Sequence, residues 1–286
     1  DNSANAVASG SLVNSSVRVK NGYLYFKTGE QFKPGNALVA AYDSNDKILW
    51  SWHIWLCDFN PAQTAQRYQG ASVDMMDRNL GALSSSYEGV SSYGLFYQWG
   101  RKDPFMGAAS TDGTPMASTC VFDQISSNSD CTVDFAIANP TTFITCDIST
   151  GNDWLYAGRQ NNLWTDDKTV YDPCPAGWRV PKGGEGGVWN QVKEGAYSVD
   201  TFYHGVRFLL SSGGYAWYPC TGYLRLNNAT IGLVGSFADY WTTTTASQTT
   251  TTFEFKVGST ESDSYVGRSF SNKSRGEGHA VRCQRQ

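Results

Sequence analysis

Histidine is scarce in this 286-residue chain, and His53, His204 and His279 lie far apart. No CxxC occurs, so the short paired spacings from which zinc draws its four Cys or His ligands are missing. GxSxG, HExxH and phosphate-loop patterns are absent too, which removes the common hydrolase and nucleotide signatures and leaves no catalytic residue or cofactor to name. Charge is also thin: 17% of residues are charged and the net is −4, with no Lys/Arg-rich run. Nothing here would grip a phosphate backbone, so nucleic acid is not an expected partner. No apolar run approaches the roughly 18 residues that a membrane-spanning helix needs.

What the chain has instead is aromatic residues at 14%, 29 glycines and much Ser and Thr. Tyr, Trp, Thr and Val suit a pleated surface, so the composition predicts an irregular, β-rich fold with little long helix. The length can bury a full core. Seven cysteines (Cys57, Cys120, Cys131, Cys146, Cys174, Cys220 and Cys283) fit an oxidising compartment with some disulfides, and the odd count leaves one free or paired outside the chain. The sequence opens at Asp1 rather than methionine, as expected of a processed precursor or a trimmed segment; a signal peptide or lipid anchor would then lie outside it.

Residues 1–10 are small and polar and read as a poorly ordered arm. Val17 and Val19 alternate with Arg18 and Lys20, Asn21-Gly22 follows, and Tyr23 and Tyr25 resume the pattern, which predicts a tight hairpin. Ala37 to Tyr42 and Ile48 to Leu56 form a second strand pair around Asp43-Ser44-Asn45-Asp46. The latter strand carries large apolar groups on both faces, so cover on both sides is expected. From Ser84 to Asp166 periodicity fades into long loops. Val188 to Ala196 suggests about two helical turns, and Val206 to Ser211, Tyr240 to Thr245, Thr252 to Val257 and Ala280 to Gln284 read as strands. The threonine-rich stretch from Thr242 to Thr252 is most simply a hairpin of branched residues, with a glycosylated ribbon as the alternative.

Four segments in order carry a resemblance: MDRNLGA (Met76 to Ala82), GLFYQWGRKDPF (Gly94 to Phe105), DPCPAGWRVP (Asp172 to Pro181) and AVRCQR (Ala280 to Arg285). They resemble the Fibrobacter succinogenes major paralogous domain, a family of Bacteroidetes-type surface proteins. The preceding Gly35 to Trp55 block is similar to one found in Bacteroides fimbrial-tip and fimbrillin-associated proteins. The family resembles the C-type-lectin-like fold shared with formylglycine-generating enzymes. The resemblance thus implies an α+β C-type-lectin-like domain over 35–286, mostly antiparallel β with long loops and one or two short helices, preceded by a β-rich arm over 1–34. It implies a non-catalytic adhesin or fimbrial-tip protein at the cell surface, anchored to the outer membrane through a segment not in this chain. Its expected partners are a glycan, a host or bacterial surface protein, or other fimbrial subunits. One departure stands out: Lys182-Gly183-Gly184-Glu185-Gly186-Gly187 follows the proline where relatives begin a helix, so that helix should be short or displaced.

The resemblance also places Cys174 and Cys283 where the two ends of such a domain meet, which implies a disulfide; the alternative pairs Cys174 with Cys220 and leaves Cys283 a buried thiol. Ligand contact is expected in the loop region after the helix. Tyr215, Trp217, Tyr218, Tyr223, Arg225, Asn227 and Asn228 offer aromatic faces for sugar rings and polar groups for hydroxyls there, unless these aromatics simply pack the loops onto the core. The calcium tripeptides of true C-type lectins do not occur. Asn152-Asp153-Trp154 and the cluster Asp166, Asp167 and Asp172 are more simply loop residues than metal ligands, so no metal is expected. His53 reads as a polar handle in an aromatic strand. Two alternatives remain: a structural pilus subunit that exchanges strands, and an oxidase with a reactive cysteine pair.

Overall fold

The computed structural model of the protein describes residues 7–8, 17–21, 23–29, 31–87, 89–110, 124–125, 129–145, 152–155, 160–246 and 249–286. Cys120 and Cys146 lie outside the described residues, as do most of residues 1–16 and residues 247–248 of the threonine-rich stretch. The fold is largely β, rich in antiparallel pairs, and the described residues hold two short α-helices, Val133–Ala138 and Val188–Gln191.

The largest sheet runs in the order Ile231–Gly232, Tyr223–Leu224, Gly278–Ala280, Phe237–Ala246, Thr249–Lys256, Tyr265–Ser274, with Phe96–Gln98 also paired to Gly278–Ala280. Its pairs are antiparallel except that Gly278–Ala280 runs parallel to Phe237–Ala246, with Tyr240 opposite Ala280. The threonine-rich stretch lies in the long central pair, where branched side chains fit the pleat. Phe253, Phe255 and Val257 share one face and enter a core with Tyr218, Phe208 and Trp189. Their alternates Thr252 and Glu254 turn to a buried polar layer beside Asp239. A second core gathers Trp99, Trp154, Trp164, Trp178 and Trp241, and the indole N–H groups of Trp99, Trp154 and Trp241 reach the backbone carbonyls of Thr242, Trp99 and Tyr97. A buried tryptophan usually has its one donor satisfied in this way.

A three-stranded sheet of Tyr197–Asp200, Gly205–Leu209 and Tyr215–Pro219 covers the first core. Another, ordered Val7–Ala8, Gly35–Tyr42, Ile48–Leu56, carries the tryptophan-rich strand at one edge. The Arg18–Lys20 and Tyr23–Tyr25 hairpin forms about Asn21, whose φ of 52° suits the turn. Val17 and Phe26 pack on Ala37 and Leu56, so this arm shares a small core with the hairpin sheet. At the far end Gln284–Arg285 pairs with Trp178–Arg179, and Cys174 and Cys283 are joined beside that pairing with Cα atoms 5.9 Å apart. Cys220 is a buried thiol and takes no part.

Several expectations need correction. The two-turn helix is one turn, Val188–Gln191: Val192 leaves helical geometry at ψ 129°, and Lys193 donates its backbone N–H to Gln69 instead. The closing strand is broken into Gly278–Ala280 and Gln284–Arg285, because the intervening backbone bonds to Leu80 and Met76. Within the presumed loops lies the helix Val133–Ala138, capped by the Thr132 hydroxyl, and the strand Tyr265–Ser274 was not anticipated.

Candidate functional site

The seven residues expected to bind ligand divide among three places. Tyr218 belongs to the core: it is fully buried, shares a 2.5 Å hydrogen bond with the Tyr68 hydroxyl, and lies under the Arg282 guanidinium at 3.7 Å. Trp217 is 6% exposed, its ring laid across Gly205, so it too leaves the binding set. Both were misplaced for one reason. A strand buried on both faces has no polar alternation to distinguish it from an exposed aromatic loop. Tyr215 remains exposed at the start of that strand, apart from the cleft that collects the others.

Tyr223, Arg225, Asn227 and Asn228 come together in a cleft of about 610 Å³, joined by Asn152, Thr230 and Glu277. The cleft is built on a tight turn. Ala229 donates its N–H to the Arg225 carbonyl, Arg225 donates to that of Thr230, and Asn228 Oδ1 accepts from the Thr230 N–H and hydroxyl at 3.1 and 2.8 Å. Ala229 sits at φ 52°, which a non-glycine residue adopts only when its surroundings impose it. Gly232 gives the arginine its place, since a Cβ there would stand 2.7 Å from Nη2. The guanidinium then lies 5.8 Å from the Tyr223 ring centre, and among the described residues it has no ion-pair partner.

Behind the cleft is a layer of buried charge. Tyr223 stacks on His279 with ring centres 5.6 Å apart, and His279 Nε2 lies 3.1 Å from Glu277 Oε2 and its Nδ1 3.7 Å from Asp239 Oδ2. Lys273 bridges Asp239 and Glu254 at 3.4 and 2.5 Å. Burial pushes the Asp239 carboxyl up to about 6, against the pull of His279 and Lys273. These groups fix the back wall and do not open onto the cleft, except through Glu277.

The acidic triplets separate on folding. Asp172 is buried against Lys168 and the N–H groups of Cys174 and Val180, Asp166 faces Arg179 and Lys182, and Asp153 pairs with Arg275. Among the described residues no group of three His, Cys, Asp or Glu side chains is arranged to hold a metal ion. His53 bonds Asn36 and Tyr97 at 2.8 and 3.2 Å, and burial lowers it to about 4, so it is a neutral structural group.

Sequence reasoning missed a second concavity, about 540 Å³, between the tryptophan-rich strand and the Val170 to Pro175 segment. Tryptophan on both faces of one strand was its signal, read as double cover. The strand is only half covered: Trp50, Trp52 and Trp55 each keep part of their surface open. No family model, no curated protein and no solved structure matches the chain.

Proposed function

We propose that the chain is a non-catalytic recognition module of the cell surface, C-type-lectin-like in fold and related to the major paralogous domain family, which binds a glycan through the Arg225 cleft. One observation carries this reading: a guanidinium that has no ionic partner among the described residues, 5.8 Å from a tyrosine ring centre and beside Asn227 and Asn228, in a concave surface site. Sugar hydroxyls take bonds from such donors while the ring face of Tyr223 receives their apolar side. The terminal strand Gln284–Arg285, paired with Trp178–Arg179 and tied there through Cys174 and Cys283, is the junction that the resemblance implies and supports the lectin-like reading. Among the described residues Cys283 is bonded to Cys174, and burial pushes the Cys57, Cys131 and Cys220 thiols up, which favours the recognition reading over an oxidase with reactive thiols.

The test is a glycan array probed with the purified chain and with Arg225→Ala and Asn227→Ala variants. Binding to a defined glycan class should fall about tenfold or more in each variant, with the melting temperature unchanged. A bound glycan that is indifferent to both substitutions removes the cleft from the reading.

A further inference from the structure

Strand Ile48–Leu56 pairs with Gly35–Tyr42 on one side, and among the described residues no backbone hydrogen bond crosses its other side. Such an edge points alternate N–H and C=O groups outward, ready to continue a ladder. The Trp55 carbonyl receives only a weak thiol donor, Cys57 Sγ at 3.5 Å. The slot beside this edge touches successive residues from Trp50 to His53 and again from Trp55 to Cys57. A pocket above one face would gather every second residue, so the slot runs along the edge itself.

The polar side chains of the slot have little left to offer a ligand. Lys102 donates to Ser51 and to both Asp103 oxygens, His53 holds Asn36 and Tyr97, and Asp172 is engaged by Lys168 and two backbone N–H groups. Among the described residues the outward backbone groups of the strand bond nothing but the Cys57 thiol, and the Trp55 indole N–H is buried without an acceptor. Pro173 and Pro175 on the opposite wall have no N–H with which to complete a ladder. A sugar would find few free side-chain partners here. An extended polypeptide brings a matching row of backbone groups.

We propose that this slot receives residues 2–16 of a second copy of the chain, added as a strand to the edge of Ile48–Leu56. That segment contains no charged residue, which suits a slot whose own charges are all paired, because a charge brought there would lose water and gain no partner. Within its own chain the segment pairs with this sheet only through Val7–Ala8, parallel to Asn36–Ala37 at the other edge among the described residues, so donation to a second copy gives up a two-residue pairing. Donor segment and acceptor slot are different surfaces, so copies join head to tail and the assembly is open rather than a closed pair. The slot shares no residue with the Arg225 cleft, and neither reading rests on the other.

A synthetic peptide of residues 2–16, titrated into the full chain by calorimetry, tests this. Three comparisons go with it: the same peptide N-methylated at alternate residues, the slot variant Trp52→Lys, and sedimentation of the full chain over a concentration series. One-to-one binding is expected, weakened about tenfold or more by N-methylation and by Trp52→Lys, together with concentration-dependent oligomers that the peptide disperses. The proposal is overturned if the peptide shows no binding at about 1 mM, if the N-methylated peptide binds equally well, or if the oligomers are absent or indifferent to the peptide. Loss of Trp52→Lys to misfolding leaves the two peptides to decide, since they leave the protein unaltered. A glycan that competes for the slot also overturns it.

Discussion

At Gly205 a Cβ would stand 2.3 Å from the Trp217 ring and 2.4 Å from the Tyr218 carbonyl, so the missing side chain is what lets the tryptophan lie flat on its sheet. Gly205→Ala should cost about 1–3 kcal/mol as an overpacking change, and Trp217→Ala about 3–5 kcal/mol as a cavity, both read from urea midpoints. A Trp217→Ala protein of unchanged stability would return that residue to the surface. Asp239 makes a pH-dependent prediction. Its carboxyl, ordinarily near 3.8, is raised to about 6 by burial, so the folded state holds a proton that the unfolded state has released. Stability therefore falls as pH rises between those values and stays lower above them. His53 acts in the opposite sense, since its lowering to about 4 makes stability rise with pH between about 4 and 6.5. Asp239→Asn should accordingly stabilise the protein at pH 7.5, by on the order of 2 kcal/mol relative to its effect at pH 4. Equal shifts at the two pH values would mean that the carboxylate is not strained by its burial.

Between elements, the covalent tie has the largest predicted effect. Cys174 and Cys283 are 109 residues apart, and closing a loop of that length removes unfolded-state entropy equivalent to about 4–5 kcal/mol at 25 °C. Reduction, or Cys174→Ser with Cys283→Ser, should lower the denaturation midpoint by a matching amount and loosen the short pairing of Gln284–Arg285 with Trp178–Arg179 first, which exchange of the Gln286 amide, donated to the Gly177 carbonyl, would report. Non-reducing peptide mapping that finds Cys174 linked to Cys220 would remove the basis of this prediction. Elements with local signals were legible in the sequence: the hairpin at Asn21 from its turn chemistry, and the strands around Phe253 from their alternation. The helix Val133–Ala138 was not, because six residues are too few for a helical period to emerge. The site was legible in part. The turn residues around Arg225 could be found from polar composition, but the edge slot is made by segments more than a hundred residues apart, and no local pattern records their meeting.

Across the whole molecule, buried carboxylates are matched with cations from the chain itself. Asp77 has Arg78, Asp103 has Lys102, Asp153 has Arg275, Asp172 has Lys168 and Asp239 has Lys273. These guanidinium and ammonium groups bring directional donors as well as charge to the loops that carry the carboxylates. The Asp153 pair is the deepest of these, both side chains fully enclosed, with Arg275 also donating to Asn161 Oδ1 at 2.6 Å and lying 4.3 Å from the Trp99 ring centre. It joins the end of the strand Tyr265–Ser274 to the loop beneath the tryptophan core. Two outcomes follow from that arrangement. Adding EDTA should leave the melting temperature unchanged, and a fall of several degrees would reveal a metal that the carboxylates share. Arg275→Met, which keeps much of the side-chain volume but removes the Arg275 cation from Asp153, should cost about 3–5 kcal/mol, because breaking a buried ion pair by removing one partner is penalised far more than the pair itself stabilises. The double variant Arg275→Met with Asp153→Asn should recover a large part of that loss. If it recovers none, the pair acts through packing against Trp99 rather than through charge, and the charge matching of buried carboxylates is not what holds this junction.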